Sequence, residues 1–139
     1  MRGSRPILVV EDDDVDAMTV RRALRELKVT NRVDTVANGE EALAFLRNPA
    51  QRRPCIILLD LKMPRMNGIE FLEIAKKDDE LKSIPVIVLT TSREEQDKLD
   101  SFKLGVAGYI VKPADYRQFV DVARTVDLYW TLSEIPGEV

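Results

Sequence analysis

The chain has 139 residues, of which 45% are hydrophobic and 32% charged. This length suits a single domain, and this composition can fill a core and cover it with charge, which excludes disordered and fibrous proteins. The net charge is −3 and no basic stripe stands out, so we expect no direct nucleic-acid partner. No apolar run approaches the ~18 residues of a membrane span.

The chain contains no histidine and a single cysteine, Cys55. Catalysis by histidine, imidazole zinc sites and histidine phosphorylation are therefore closed to this chain acting alone. One cysteine cannot form an internal disulfide, which favours a cytoplasmic location, and its apolar neighbours predict a small core residue. Any phosphoryl chemistry must use carboxylates, lysine or hydroxyl groups.

Short apolar runs recur along the chain and predict strands. The runs at residues 7–10, 56–59, 86–89 and 109–111 are continuous, which is typical of strands buried on both faces of a parallel sheet. A weaker run at residues 32–36 alternates and predicts a more exposed strand. Apolar residues at helical spacing lie between the runs, as at Ala17, Val20, Leu24 and Leu27.

Polar residues that can cap a helix follow each strand: Asp13 or Asp14, Asn38, Asn67, Ser92 and Asp115. Five strands alternating with five helices predict an α/β fold, a doubly wound parallel sheet with helices on both faces. We expect a flexible N-terminus at residues 1–5, one domain at residues 6–132 and a C-terminal tail at residues 133–139.

Chemically useful side chains stand at the carboxyl ends of four predicted strands. They are Glu11 with Asp12, Asp60, Thr90 and Lys112. In an open α/β sheet this edge is where ligands bind, so the side chains should meet in space. Clustered carboxylates favour a divalent ion, and Mg²⁺ prefers a few carboxylates, a carbonyl and water. The sequence predicts a site for Mg²⁺ and a phosphoryl group.

Taken singly, each of these residues has a simpler explanation. Acidic residues after a strand are often only helix caps, which would account for Asp13, Asp14 and Asp16. A lone threonine or lysine is unremarkable at a strand end. The combination at four strand ends, with Asp60 directly behind an all-apolar strand, favours a shared site because a buried charge is costly without compensation.

Four segments resemble the motifs of response-regulator receiver domains, the CheY-like family of two-component signalling. They are residues 9–12 (VVED), 58–68 (LLDLKMPRMNG), 89–91 (LTT) and 108–113 (GYIVKP). The resemblance runs from about residue 6 to residue 126. It implies a flavodoxin-like sheet with strand order 2-1-3-4-5 and a stand-alone regulator that switches protein–protein interactions.

The resemblance also implies roles for individual residues. Asp60 would be the phosphoacceptor, and Mg²⁺ would be held by Glu11, Asp12, Asp60 and the backbone carbonyl of Lys62. Glu11 stands where aspartate is more usual, but its longer side chain can still reach the ion. The phosphoryl donor would be a separate sensor histidine kinase, and the chain would promote its own phosphorylation and dephosphorylation without being an enzyme in the ordinary sense.

The remaining motif residues match the switch of the family. Thr90 would bond the phosphoryl group, Lys112 would pair with its charge, and Tyr109 would reorient on activation. Pro113 would follow a cis peptide bond.

The predicted last helix, residues 115–132, carries more apolar surface than the sheet requires. Phe119, Ala123, Val126 and Trp130 should cover the sheet, with Val122 and Tyr129 widening the stripe. Leu128 and Leu132 point elsewhere and favour a homodimer through this helix and the adjacent surface, unless the tail folds back on its own domain. Two segments, residues 127–130 near the end of the chain and the connecting residues 48–53, resemble those of single-domain regulators paired with bacterial phytochrome kinases.

Two other functions compete with this interpretation. The run 12–15 resembles a motif of haloacid-dehalogenase-like phosphohydrolases. Such an enzyme also needs a further acidic pair after the lysine and usually a cap domain, for which the length leaves no room. A phosphorylation-independent interaction module predicts a degraded pocket, whereas every expected residue type is present. We also expect no fused output domain.

Overall fold

The computed structural model describes residues 3–132, except for the side chain of Leu132. The strands in this range are β1 (Ile7–Val10), β2 (Val33–Val36), β3 (Ile56–Leu59), β4 (Val86–Thr90) and β5 (Gly108–Val111). The helices are α1 (Asp14–Glu26), α2 (Gly39–Arg47), α3 (Gly68–Ala75), α4 (Glu95–Lys103) and α5 (Tyr116–Leu132). No helix in the described range has the length and apolarity needed to cross a bilayer.

The strands form one parallel sheet in the order β2-β1-β3-β4-β5, which confirms the predicted topology. The three central strands are buried along their whole length, as their continuous apolar runs predict. β2 is only half-buried, also as predicted. β5 is half-buried as well, although we expected a fully buried strand, because it lies at the sheet edge and pairs only with β4.

Alternate residues of each strand face two separate layers. On β1, Ile7 and Val9 pack toward α1 and α5, whereas Leu8 and Val10 pack toward α2 and α3. Cys55 belongs to the first of these two cores and is buried, which confirms its predicted place. The sheet is thus covered on both faces, and only its edges and strand ends reach solvent.

Polar side chains begin most of the helices where the sequence predicts them. In each of the first three helices the capping side chain accepts a hydrogen bond from the backbone N–H three residues on, and these residues are Asp13, Asn38 and Asn67. The prediction for α4 is wrong. Its N-cap is Glu94, which makes no side-chain capping bond. The Ser92 hydroxyl lies two residues earlier, where it accepts from the Glu94 N–H at 3.3 Å and donates to Asp97 at 2.6 Å.

The apolar stripe predicted on α5 covers the sheet. Phe119 and Trp130 are buried, and Ala123 and Val126 pack against the same cluster. Tyr129 does not widen the stripe, since 61% of it is exposed. One residue turns an α-helix by about 100°, which carries Tyr129 away from Trp130 and past the edge of the buried face. Residues 133–139 and the Leu132 side chain lie outside the described residues.

The first residue of α3, Gly68, lies against the end of β3. A Cβ atom at this position would lie 2.5 Å from the carbonyl oxygen of Asp60 and 2.9 Å from the Cα atom of Leu61. The close approach lets the Gly68 N–H donate to the Leu61 carbonyl at 3.0 Å. The loop that carries Asp60 is therefore fastened to the start of α3 by backbone contact.

We expect Gly68→Ala to lower the free energy of unfolding by about 1–3 kcal/mol, because the backbone atoms it meets cannot yield easily. Urea denaturation followed by circular dichroism measures the change. Gly108→Ala is the control, since the nearest atoms there are side-chain carbons of Ile87 at 3.9 Å. Equal losses in the two variants would contradict the proposed close approach.

Candidate functional site

The register of the central strands brings the first acidic residues together. Val10 pairs with Leu59, so Glu11 and Asp60 leave β1 and β3 side by side. The Asp60 N–H donates to the Val10 carbonyl at 3.0 Å, which fixes the two strand ends relative to each other. The pairing of neighbouring parallel strands, rather than any local sequence feature, creates this proximity.

Three carboxylates meet at this edge of the sheet. Glu11, Asp12 and Asp60 each offer an oxygen within 4.8 Å of those of the other two. Glu11 is 5% exposed and Asp60 8%, whereas Asp12 is open to solvent. Oxygen ligands at this spacing, with one open side, fit a hard divalent cation that keeps some of its water.

Lys112 supplies positive charge to the same cluster. Its Nζ atom donates a short hydrogen bond to Oε1 of Glu11 and another, of 2.9 Å, to Oδ2 of Asp16. The same Nζ atom lies 3.7 Å from Oδ2 of Asp60. The lysine side chain is almost fully buried, so its charge and those of the carboxylates compensate one another in a poorly hydrated place.

The compensation of these charges is incomplete. Burial raises the pKa of Glu11 from its ordinary value of 4.5 to about 7, and the nearby charge of Asp60 adds to the increase, while the hydrogen bond from Lys112 opposes it. Burial disfavours the charged form of Lys112, but its hydrogen bonds to Glu11 and Asp16 outweigh this, so its pKa is raised. The lysine stays charged, and Glu11 takes up protons near neutral pH.

A second polar network borders the acidic cluster. The Ser92 hydroxyl donates to Oδ2 of Asp97 at 2.6 Å, and Nζ of Lys62 lies 3.2 Å from the same oxygen. Donation by Ser92 and, more weakly, the Lys62 charge lower the pKa of Asp97 although burial opposes the decrease. Lys62, Asp97 and Asp12 line one cavity. The network thus stands at the open side of the acidic cluster.

Ser92 contacts both residues predicted to form the switch. Thr90 is completely buried, and its hydroxyl oxygen accepts a hydrogen bond from the Ser92 N–H at 3.3 Å. The Tyr109 hydroxyl donates to the Ser92 carbonyl at 3.1 Å. The backbone of one residue therefore joins the end of β4 to the aromatic ring on β5.

The structure brings into contact residues that the sequence motifs do not connect. Asp16 was attributed to helix capping, and this is wrong, because its carboxylate contacts Lys112 while its N–H is the group that Asp13 caps. Asp16 lies on the first turn of α1, but no local signal marks its contact with Lys112, which is 96 positions away. Asp97 had no such signal either, because its contact with Ser92 depends on where α4 begins.

The predicted cis peptide bond before Pro113 is wrong, since the described residues contain no cis peptide bond. The trans form of a bond to proline is favoured by about 0.5–1 kcal/mol, and Lys112 reaches its carboxylate partners from it.

Comparison with known proteins gives a consistent result. Residues 7–124 match the family model described as the response regulator receiver domain. Response regulator Rcp1 of Synechocystis sp. is 34% identical over 128 residues, which cover 89% of this chain and 87% of Rcp1. The family resemblance seen in the motifs is confirmed.

Solved structures extend the similarity over nearly the whole chain. The phosphorylated cyanobacterial phytochrome response regulator RcpA superimposes with a TM-score of 0.90 at 36% identity, covering 97% of this chain and 100% of RcpA. The Mn²⁺-bound form of Rcp1 gives a TM-score of 0.86 at 32% identity, covering 96% and 99% of the two chains. These similarities confirm the predicted likeness to phytochrome-associated regulators.

The raised pKa of Glu11 predicts how the stability of the metal-free protein depends on pH. Glu11 holds its proton more tightly in the folded chain, so its stabilising effect is complete below pH 4.5 and is lost as the pH rises through about 7. The free energy of unfolding should fall by on the order of 3 kcal/mol over this range on account of Glu11.

Urea denaturation in EDTA at a series of pH values measures this loss. Glu11→Gln carries no titratable group and should remove most of the dependence between pH 5 and 8. If the variant and the wild type show the same dependence, Glu11 is not the titrating group.

Proposed function

The chain belongs to the response regulator receiver domain family of two-component signalling, and we propose that Asp60 is its phosphoacceptor. The observation that carries the proposal is the position of this carboxylate. Asp60 is buried at the end of the central strand, shares its surroundings with Glu11 and Asp12, and lies 3.7 Å from the Lys112 ammonium. A nucleophile, a place for a cation and a fixed positive charge are what phosphoryl transfer requires.

A backbone hydrogen bond orients the Asp60 carboxylate. The Leu61 N–H donates to Oδ1 of Asp60 at 2.8 Å, which fixes the plane of the carboxylate. In the transfer, a carboxylate oxygen forms a bond to phosphorus as the bond from phosphorus to a histidine nitrogen of the donor breaks in line. The nitrogen keeps the electron pair of the broken bond, and the product is an acyl phosphate on Asp60.

We assign the cation to Mg²⁺, held by the carboxylates of Glu11, Asp12 and Asp60 and by the backbone carbonyl of Lys62. When bound, such an ion offsets negative charge on the transferred group. Lys112 and the Thr90 hydroxyl would meet the phosphoryl oxygens, and the same residues would act when water removes the group. The promotion of both reactions by the protein itself is part of the proposal.

The phosphoryl donor in this proposal is a phosphohistidine of a separate sensor histidine kinase, because the chain has no histidine of its own. A phytochrome kinase is favoured, since RcpA is a phytochrome response regulator and superimposes over its full length. The two proteins would meet in the cytoplasm, the location that the single cysteine favours. DNA is not a partner in this proposal.

The output would be a change in protein–protein contact. A phosphoryl group that bonds the Thr90 hydroxyl would break the hydrogen bond that this hydroxyl accepts from the Ser92 N–H. The Ser92 carbonyl in turn accepts a hydrogen bond from the Tyr109 hydroxyl. Outside the two cores, α4 and α5 expose a surface with large apolar side chains, namely Leu99, Phe102, Leu128 and Tyr129. We propose that this surface forms a homodimer whose strength changes with phosphorylation.

Asp60→Asn should abolish the gain of one phosphoryl mass on incubation with Mg²⁺ and acetyl phosphate, because the amide is not a nucleophile. Intact mass spectrometry reads the result directly. Asp13→Asn is the matched control, since asparagine also caps a helix and the charge lost is the same. The assignment fails if Asp60→Asn gains the mass at the wild-type rate, or if both variants lose it equally.

Thr90→Ala should still accept the phosphoryl group but lose the assembly change that follows, because the link through Ser92 is cut. Sedimentation velocity with and without beryllofluoride, a mimic of the phosphoryl group, measures dimerisation. Thr91→Ala, an exposed neighbour, should respond like the wild type. A full response from Thr90→Ala would exclude Thr90 as the switch.

A further inference from the structure

Lys112 shares its charge between carboxylates of two kinds. Glu11 belongs to the group that can hold a cation, whereas Asp16 stands outside that group, on the first turns of α1. Oδ2 of Asp16 accepts from the ammonium at 2.9 Å, while Oδ2 of Asp60 lies 3.7 Å away, beyond hydrogen-bond distance. The lysine is thus hydrogen-bonded to Glu11 and Asp16, and its contact with the candidate phosphoacceptor is a longer ion pair.

A bound cation would affect the hydrogen bonds from Lys112 to Glu11 and to Asp16 differently. A cation held by Glu11 would weaken the bond of that carboxylate to Lys112, since the two positive charges would compete for the same carboxylate. Asp16 keeps its contact, because it does not belong to the cation group. With a cation bound, Asp16 would therefore be the main competitor of the phosphoryl oxygens for the lysine.

We propose that Asp16 is a positioning residue that holds Lys112 in a resting place short of Asp60, from which a phosphoryl group must draw it. The inference rests on the proposed role of Asp60 as phosphoacceptor. Asp16 is half-exposed, with 41% of its side chain accessible, so water can replace the lysine when the contact breaks. The contact can be released without leaving a buried charge unpaired.

Loss of the Asp16 carboxylate should have two opposite effects. Lys112 then turns fully to Glu11 and Asp60, where it competes with Mg²⁺, so Mg²⁺ affinity falls. At saturating Mg²⁺ the lysine is no longer retained by Asp16, so beryllofluoride binds more tightly. Because Asp16 is half-exposed, its ion pair with Lys112 should have a small coupling energy, which predicts changes of about two- to fivefold in each direction.

The test compares Asp16→Asn with Asp14→Asn in the full chain. Asp14 is exposed on the same turn of α1 and takes no part in the described contacts of Lys112, so this variant removes the same charge without the contact. Calorimetry gives the Mg²⁺ affinity, and beryllofluoride titration at saturating Mg²⁺ gives the affinity for the mimic. In a Lys112→Met background, the two variants should have equal Mg²⁺ affinities.

The inference requires that Asp16→Asn, relative to Asp14→Asn, bind Mg²⁺ more weakly and beryllofluoride more tightly. Equal behaviour of the two variants overturns it, and so does a fall in both affinities, which indicates a structural effect only. A difference in Mg²⁺ affinity that persists without Lys112 also overturns it. If the wild type binds no beryllofluoride at saturating Mg²⁺, the proposed function itself fails.

Discussion

Two carboxylates, on Glu11 and Asp60, are buried side by side at the end of the central strands, and the organisation of the site follows from this constraint. Like charges at this distance repel, and burial deprives both of water. Burial, together with the nearby charge of Asp60, raises the pKa of Glu11 to about 7, although the hydrogen bond from Lys112 opposes the increase. The apolar strands hold the carboxylates in place. The repulsion between them must therefore be reduced by a bound cation rather than by movement of the sheet.

Much of this arrangement could be predicted from the sequence. Continuous apolar runs identify buried parallel strands, and the polar residues that follow them must share one edge of the sheet. The half-burial of β5 was not predictable from its own residues, because it depends on strand order. The contact between Asp16 and Lys112 joins residues 96 positions apart and depends on the direction of a long side chain.

The failed predictions share a physical cause. Serine commonly caps helices, which predicts Ser92 as the N-cap of α4, but its hydroxyl donates to the charged carboxylate of Asp97. The peptide bond before Pro113 was assigned by family resemblance, although its two isomers differ little in energy. Short-range patterns identify backbone elements well, whereas choices separated by about 1 kcal/mol depend on which contacts the folded chain makes available.

The fold also separates a rigid part of the site from a part that can change. β1 and β3 are buried throughout, whereas β5 is a half-buried edge strand and Ser101 is the one buried residue within α4. Segments with little buried surface change conformation at the smallest free-energy cost. Ser92 lies between these parts, since its backbone bonds both Thr90 at the end of β4 and Tyr109 on β5.

Calorimetry of Mg²⁺ binding near pH 7, in two buffers with different ionisation enthalpies, measures whether a cation takes the place of the proton on Glu11. If a cation resolves the repulsion at Glu11, binding must displace the proton that Glu11 carries at this pH, and the measured heat must depend on the buffer. We expect saturable binding with release of a fraction of a proton, as this displacement requires. Saturable binding with a buffer-independent heat, or no binding at all, would contradict it.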